Sequence, residues 1–276
     1  MRFPDVLRAL ALAALIPAAP CFASAESVRS AITARLQQLQ PGVAVSSYPL
    51  GAAAFDEALR EQAEAPAAGA PQVVAAGRKI WARKFRNGRS LASCFPNGGR
   101  RVAAAYPQYD SRLKRLITLE MAINQCLKTH KEPLIEHGDP ATMGAVTAYL
   151  RTLSNRRKMA VRVPARAAPR FEDGRRLYFT RMGQRNYACA SCHIAGAGKR
   201  FGETPLSAAV GQATHWPVIR DGAPVTLHMR MRECLELMGA APFPAGSEEL
   251  NQIEYFLSYL SNGLPLRANV ARPGAN

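Results

Sequence analysis

The chain says nearly the same thing twice. Gly77 to Trp81 reads GRKIW and Gly174 to Tyr178 reads GRRLY, an offset of 97. Cys94 and Cys189 are 95 apart, Cys126 and Cys234 are 108 apart, and Leu153-Ser154-Asn155 returns as Leu260-Ser261-Asn262 at an offset of 107. The landmarks keep their order, and their spacing grows by about a dozen residues between the cysteine landmarks. A solenoid would repeat roughly every 20–50 residues, so the repeated unit here is a whole domain. Both copies end in a helix-period apolar pattern, MGAVTAYLRTL (Met143 to Leu153) and LNQIEYFLSYL (Leu250 to Leu260). In the second, Ile253, Phe256, Leu257 and Leu260 share one face. At 276 residues the chain has room for two small domains, each with a core of its own.

The flanks of the repeat read differently. Arg2 and Arg8, a short apolar run and Ala23-Ser24-Ala25 have the form of an export leader, residues 1–25, with the mature chain starting at Glu26. Cys21 would suit a lipidated cysteine, but Pro20 before it fits that use poorly, so ordinary cleavage is expected. No later segment approaches the ~18 apolar residues of a membrane span. After a short helical segment, EAPAAGAPQ (Glu64 to Gln72) reads as a flexible approach to the first domain, and NRRKMAVRVPARAAPR (Asn155 to Arg170) reads as an interdomain linker. The expected domains are therefore 26–160 and 161–276.

Formal net charge is +16, which draws acidic partners and small anions through long-range attraction. No basic helix interleaved with aromatic residues is present, so nucleic acid is not an expected partner.

Of six cysteines, five lie beyond the leader, and an oxidising compartment requires each to be accounted for. Cys189, Cys192 and His193 stand as Cys-x-x-Cys-His, the attachment signature of c-type haem. The two thiols form thioethers with the porphyrin, and the imidazole becomes an axial ligand. A redox Cys-x-x-Cys would need no histidine, and a zinc site would need further ligands at suitable spacing. One such motif implies one haem.

The second axial position is open to several residues. Met229, Met231 and Met238 would give a shuttle cytochrome; His215 and His228 are further candidates, and Cys234 is another kind. Cys234 is favoured by its surroundings. In TLHMRMREC (Thr226 to Cys234) Arg230 lies four residues earlier on the same helical face, with Arg232 near, and a guanidinium beside a thiol favours the thiolate. Arginine also holds oxyanions through two parallel hydrogen bonds.

These segments carry a resemblance. The stretch from Gly174 to Gly263, with CASCH, GQATHWPVIR, TLHMRMREC and EYFLSYLSNG, resembles the C-terminal domain of the SoxA family, the catalytic cytochrome subunits of periplasmic thiosulfate oxidation. A weaker likeness reaches the first domain through GRSLASCFPNGG and LEMAINQC. The resemblance implies a mainly α fold of two cytochrome c-like helical domains in tandem, and a periplasmic location. It implies covalent haem at Cys189 and Cys192, axial His193, and Cys234 as distal ligand, in this family commonly a persulfide. Arg230 matches the family's active-site arginine. The implied activity joins thiosulfate oxidatively to a cysteine of the carrier SoxYZ, an L-cysteine S-thiosulfotransferase reaction, with electrons leaving through haem to the cytochrome subunit SoxX.

Some family members carry a second haem in the first domain. Here Cys94 is followed by FPNGG, so that domain is expected to be without haem. Cys126 falls opposite Cys234 and Cys94 opposite the attachment pair, from which a Cys94–Cys126 disulfide is expected. It would close a loop of about 33 residues, worth about 3 kcal/mol. His130 and His137 are expected at the surface, and His215 with Trp216 in the haem-pocket wall or the core. The competing readings are a plain His/Met electron-transfer cytochrome and a docking subunit that makes no bonds to substrate.

Overall fold

The computed structural model describes residues 24–65 and 67–271. The expected leader, with Cys21, lies almost wholly outside the described residues. In order, the regular elements are helices α1 (Ala25–Leu39), α2 (Arg60–Glu64) and α3 (Ala70–Ala82), hairpin β1 (Gln108–Asp110) and β2 (Arg115–Ile117), and helices α4 (Leu119–Thr129), α5 (Ala145–Thr152) and α6 (Ala168–Phe179). Then come the small hairpin β3 (Arg200–Phe201) and β4 (Thr204–Pro205), hairpin β5 (Val218–Arg220) and β6 (Ala223–Val225), and helices α7 (Leu227–Leu237) and α8 (Glu248–Leu260). All three hairpins are two-stranded and antiparallel, so the fold is mainly helical.

Each half is organised by one close helix crossing, α3 on α5 and α6 on α8. Both crossings depend on a glycine. A Cβ at Gly77 would fall 2.0 Å from the carbonyl oxygen of Ala145, and one at Gly174 would fall 2.1 Å from that of Gln252. The next neighbours correspond as well, Tyr149 in the first half and Phe256 in the second. The GRKIW and GRRLY echo is thus the same crossing built twice. Four residues on, Trp81 and Tyr178 each carry a buried ring toward the core of their half.

The correspondence continues. A cis proline, Pro107 or Pro217, precedes each larger hairpin, and Thr118 or Thr226 caps the helix that follows. The threonine hydroxyl accepts from the backbone N–H of Met121 at 3.2 Å or of Met229 at 3.3 Å, satisfying a donor the first helical turn leaves open. Cys126 and Cys234 therefore sit at the same position of α4 and α7. Ser154 and Ser261, from the repeated Leu-Ser-Asn, accept the backbone N–H of Ala103 and of Gly211.

The halves differ in one stretch. Cys94 precedes Pro107 by 13 residues, whereas Cys189 precedes Pro217 by 28. The added length in the second half holds β3, β4 and the segment to Gly211, which explains the stretched spacing of the cysteine landmarks.

Two segments make contacts that reach across the expected boundaries. The segment 25–65 precedes the first crossing but packs on the second half: Gln40 donates to the Ala197 carbonyl at 2.8 Å, Tyr259 to Glu26 at 3.3 Å, and Arg267 to the Ala63 carbonyl at 2.9 Å. The stretch read as a linker is pinned in place. Met159 donates to the Leu264 carbonyl at 2.9 Å, Ala160 to that of Ala104 at 2.8 Å, and the side chains of Met159 and Val161 are buried. Its alternating apolar residues fill a groove between the halves, and one hydrophobic cluster runs through both of them.

A polar seam also joins the halves. Glu120, His137 and Arg151 of the first meet His228 and Glu254 of the second around one small cavity. His228 Nε2 lies 3.0 Å from the Glu254 carboxylate, and its Nδ1 accepts the Gly246 N–H at 3.0 Å. Burial pushes Glu254 up and Arg151 and His137 down from their ordinary values. His137 is thus half-buried, with its ring against Gly246, and not at the surface as its polar sequence context suggests. His130 is half-buried too, stacked near Phe85 and bonded to Asn87 at 2.8 Å.

Alanine at Gly77 or Gly174 forces the crossing helices apart, an overpacking cost of about 1–3 kcal/mol or more. Thermal unfolding of either variant should show a clearly lowered midpoint. Gly42, whose Cβ would meet nothing within 4 Å, should accept alanine without loss.

Candidate functional site

The second half contains an apolar pocket. Cys189, Cys192, His193, Arg230 and Cys234 all line it. The motif residues reach it from the loop after α6 and the π-helical turn Ser191–Ala195; Arg230 and Cys234 reach it from α7. The walls are Tyr178, Leu235, Leu250, Ile253 and Leu257, with Phe201 and Leu206 from the stretch the first half lacks.

That extra stretch also fixes His193. Its Nδ1 is 2.9 Å from the Ser207 carbonyl, so the ring proton sits on Nδ1 and the lone pair on Nε2. The Gln212 amide nitrogen stands 3.3 Å from Nε2, a donor facing that lone pair. Ala209 donates its N–H to the His193 carbonyl at 2.7 Å, tying the backbone of the motif to the same segment. Burial drives the Cys189 thiol up to about 12 and raises that of Cys192, as expected for sulfurs enclosed by apolar walls. Tyr178 is pushed well above the ordinary phenol value, first by burial and then by these neighbouring sulfurs.

Two thiols, an imidazole with a directed lone pair and an apolar cavity suit a haem. The other ligand candidates separate cleanly. His228 is committed to Glu254 and Gly246 in the interdomain seam. His215 is buried beside Gly51 and Trp216, in a different cavity. Met229 turns back to its own helix cap, where its sulfur accepts the Thr226 N–H at 3.3 Å. Cys234, Met231 and Met238 remain at the pocket.

The first half has a disulfide at the corresponding place. Cys94 and Cys126 are bonded, with Cα atoms 5.8 Å apart. Trp81 packs on Phe95 with ring centres 5.1 Å apart, filling the core beside it. The neighbouring cavity is open, and Gln108, Asp110, Arg112 and Gln125 give it a polar lining.

The structure adds one group that the cysteine and arginine pattern does not show. Glu233 accepts from Arg230 at 2.8 Å and from Arg220 at 2.5 and 3.1 Å. Burial opposes ionisation of Glu233, but the hydrogen bonds from Arg220 and Arg230 outweigh it and hold the carboxyl below its ordinary value. The spacing from Arg230 to Glu233 is readable as an i,i+3 pair, whereas Arg220 arrives from β5 and leaves no local signal.

A family model described as SoxA/TsdA, cytochrome c domain, matches residues 76–159 and 173–266, one segment for each half. The chain belongs to this family. As a member of a cytochrome c family it takes haem as cofactor. An L-cysteine S-thiosulfotransferase subunit SoxA of Chlorobaculum thiosulfatiphilum is 37% identical over 84% of this chain and 82% of its own length. One from Allochromatium vinosum is 35% identical over 97% of this chain and 98% of its own. The crystal structure of SoxXA from P. pantotrophus contains a chain that superposes with a TM-score of 0.70 at 26% identity, covering 79% of this chain and 84% of that one. Among the described residues no helix is long and apolar enough to cross a membrane.

The Glu233 pairings carry a pH signature. A carboxyl held low in the folded state contributes stability above its unfolded value, near 4.5, and loses it as pH falls through the lower folded value. The unfolding midpoint should therefore drop as pH falls from about 4.5 through the lower folded value, and Glu233→Gln should flatten this part of the profile.

Proposed function

We propose that this protein is a haem-dependent L-cysteine S-thiosulfotransferase subunit of the periplasm. It joins thiosulfate to a cysteine thiol of a SoxYZ carrier and passes the electrons to a SoxX cytochrome. The supporting observation is that Cys234 and Arg230 line the same pocket as Cys189, Cys192 and His193, in a chain related over most of its length to proteins of that name.

Cys189 and Cys192 would hold one haem covalently, and His193 Nε2 and the Cys234 sulfur would bind its iron. It supplies an acceptor for single electrons. The chain's own residues do the rest. Ser207 holds the Nδ1 proton and so keeps Nε2 aimed into the pocket. The apolar walls keep water from the buried sulfurs. Arg230 binds the sulfonate end of thiosulfate and presents its outer sulfur near Cys234. The high positive charge of the chain raises the local concentration of this dianion.

The balance of the reaction explains the partners. A carrier thiol and thiosulfate form one S–S bond and lose two electrons and a proton, so an acceptor beyond a single haem is required. The first half, closed by its disulfide, serves as scaffold and docking surface.

Met231 and Met238 at the same pocket keep a second reading in view, a His/Met shuttle cytochrome that makes no bonds to substrate. Low-temperature EPR of the oxidised protein separates the two. A His/thiolate low-spin signal that changes in Cys234→Met, with thiosulfate conjugation abolished in Cys234→Ala, is the expected result. A His/Met spectrum indifferent to Cys234 would replace this function by the shuttle.

A further inference from the structure

The environment of Arg230 is built on one side only. Its NH1 donates to the Glu233 carboxylate at 2.8 Å, while its Nε is buried and reached by no acceptor among the described residues. Glu233 precedes Cys234 by one residue, so on α7 it points about 100° away from it. Arg230 stands three residues before Glu233 and four before Cys234, on the helix surface between the two. Arg220 grips the same carboxylate from the end of β5, through NH2 at 2.5 Å and NH1 at 3.1 Å, and so ties the hairpin to the helix.

We propose that Glu233 and Arg220 are positioning residues that clamp Arg230 with its Nε edge turned toward the pocket, and that this sets selectivity for a small sulfur oxyanion. The inference rests on the function proposed above. Three observations carry it. A guanidinium has five donors in a fixed plane, so tying NH1 to Glu233 restricts which edge remains for an incoming anion. That edge offers two parallel N–H groups, the arrangement that matches two oxygens of a sulfonate. Two guanidiniums against one carboxylate leave a single net positive charge beside Cys234, so the clamp fixes Arg230 without cancelling the attraction for an anion.

Proton abstraction is a poor alternative role for Glu233. A carboxylate stabilised by two guanidiniums is a weak base, and it faces away from Cys234.

The test uses the haem-loaded protein with its cytochrome partner and carrier, and compares Glu233→Gln, Glu233→Asp and Arg220→Met in thiosulfate-dependent electron release. Loss of the clamp misplaces Arg230, so Glu233→Gln should lower kcat roughly 10- to 100-fold with KM no lower than wild type, although the local positive charge increases. Glu233→Asp should recover most of kcat, and Arg220→Met should raise KM. Calorimetric titration of sulfite into the same variants, without the carrier, should show weakened binding in Glu233→Gln.

An unchanged kcat with a lowered KM in Glu233→Gln would overturn the proposal, since Glu233 would then be only a counter-charge. Equal losses in the Gln and Asp variants, with sulfite binding intact, would overturn it as well. Arg230→Met distinguishes the two levels of inference: full activity there would sink the role of Arg230 itself, whereas its loss beside an active Glu233→Gln would sink only the clamp.

Discussion

At Gly77 and Gly174 two helix backbones approach more closely than any side chain allows, and most of the architecture depends on that proximity. With the crossing set, α5 and α8 present their apolar faces inward, the hairpins fall at equivalent edges, and α4 and α7 bring Cys126 and Cys234 to equivalent points. A side chain at either glycine would meet a backbone carbonyl, which cannot move aside as a rotamer does. The two halves share this frame and differ in what fills it. One half carries a disulfide beside packed aromatic rings, and the other an apolar pocket lined by the Cys-x-x-Cys-His motif.

Charge is distributed with the same economy. The chain is strongly basic, yet Arg230 at the pocket is not left to solvent. Arg230 is paired with a carboxylate that a second arginine also holds, and both pairings are partly shielded from water. The buried ionic groups of the seam between the halves serve a different end. Glu120, His137 and Arg151 of the first half face His228 and Glu254 of the second across one small cavity, so buried charges of both halves meet at the seam.

Much of this was legible in the sequence because it is local. The Cys-x-x-Cys-His motif, the repeated glycines and the i−4 relation of Arg230 to Cys234 are short-range patterns, and the repeat offsets that set Cys126 opposite Cys234 and Cys94 opposite the attachment pair placed the disulfide. The parts that were not legible depend on distant pieces of chain meeting. The segment 25–65 is composed like a leader to the first domain but packs on the second. Met159 and Val161 sit in a proline-rich basic stretch whose burial only the groove between the halves explains. His137 follows polar residues yet turns inward, because Gly246, more than a hundred residues later, receives its ring. Arg220 gave no sign of its contact with Glu233, since a strand end and a helix turn share no periodicity.

The stretch from Arg200 to Gly211 also bears on how such a protein can change. It exists in one half only, and it supplies Ser207 to His193 and two of the pocket walls. Writing Cys-x-x-Cys-His into the first half would therefore create the attachment chemistry without the segment that orients the imidazole or encloses the ring. Attachment chemistry and an enclosing pocket are thus separate requirements. The motif returns by a few substitutions, but the missing loop must be inserted whole, and into a space that Trp81, Phe95 and a disulfide now occupy.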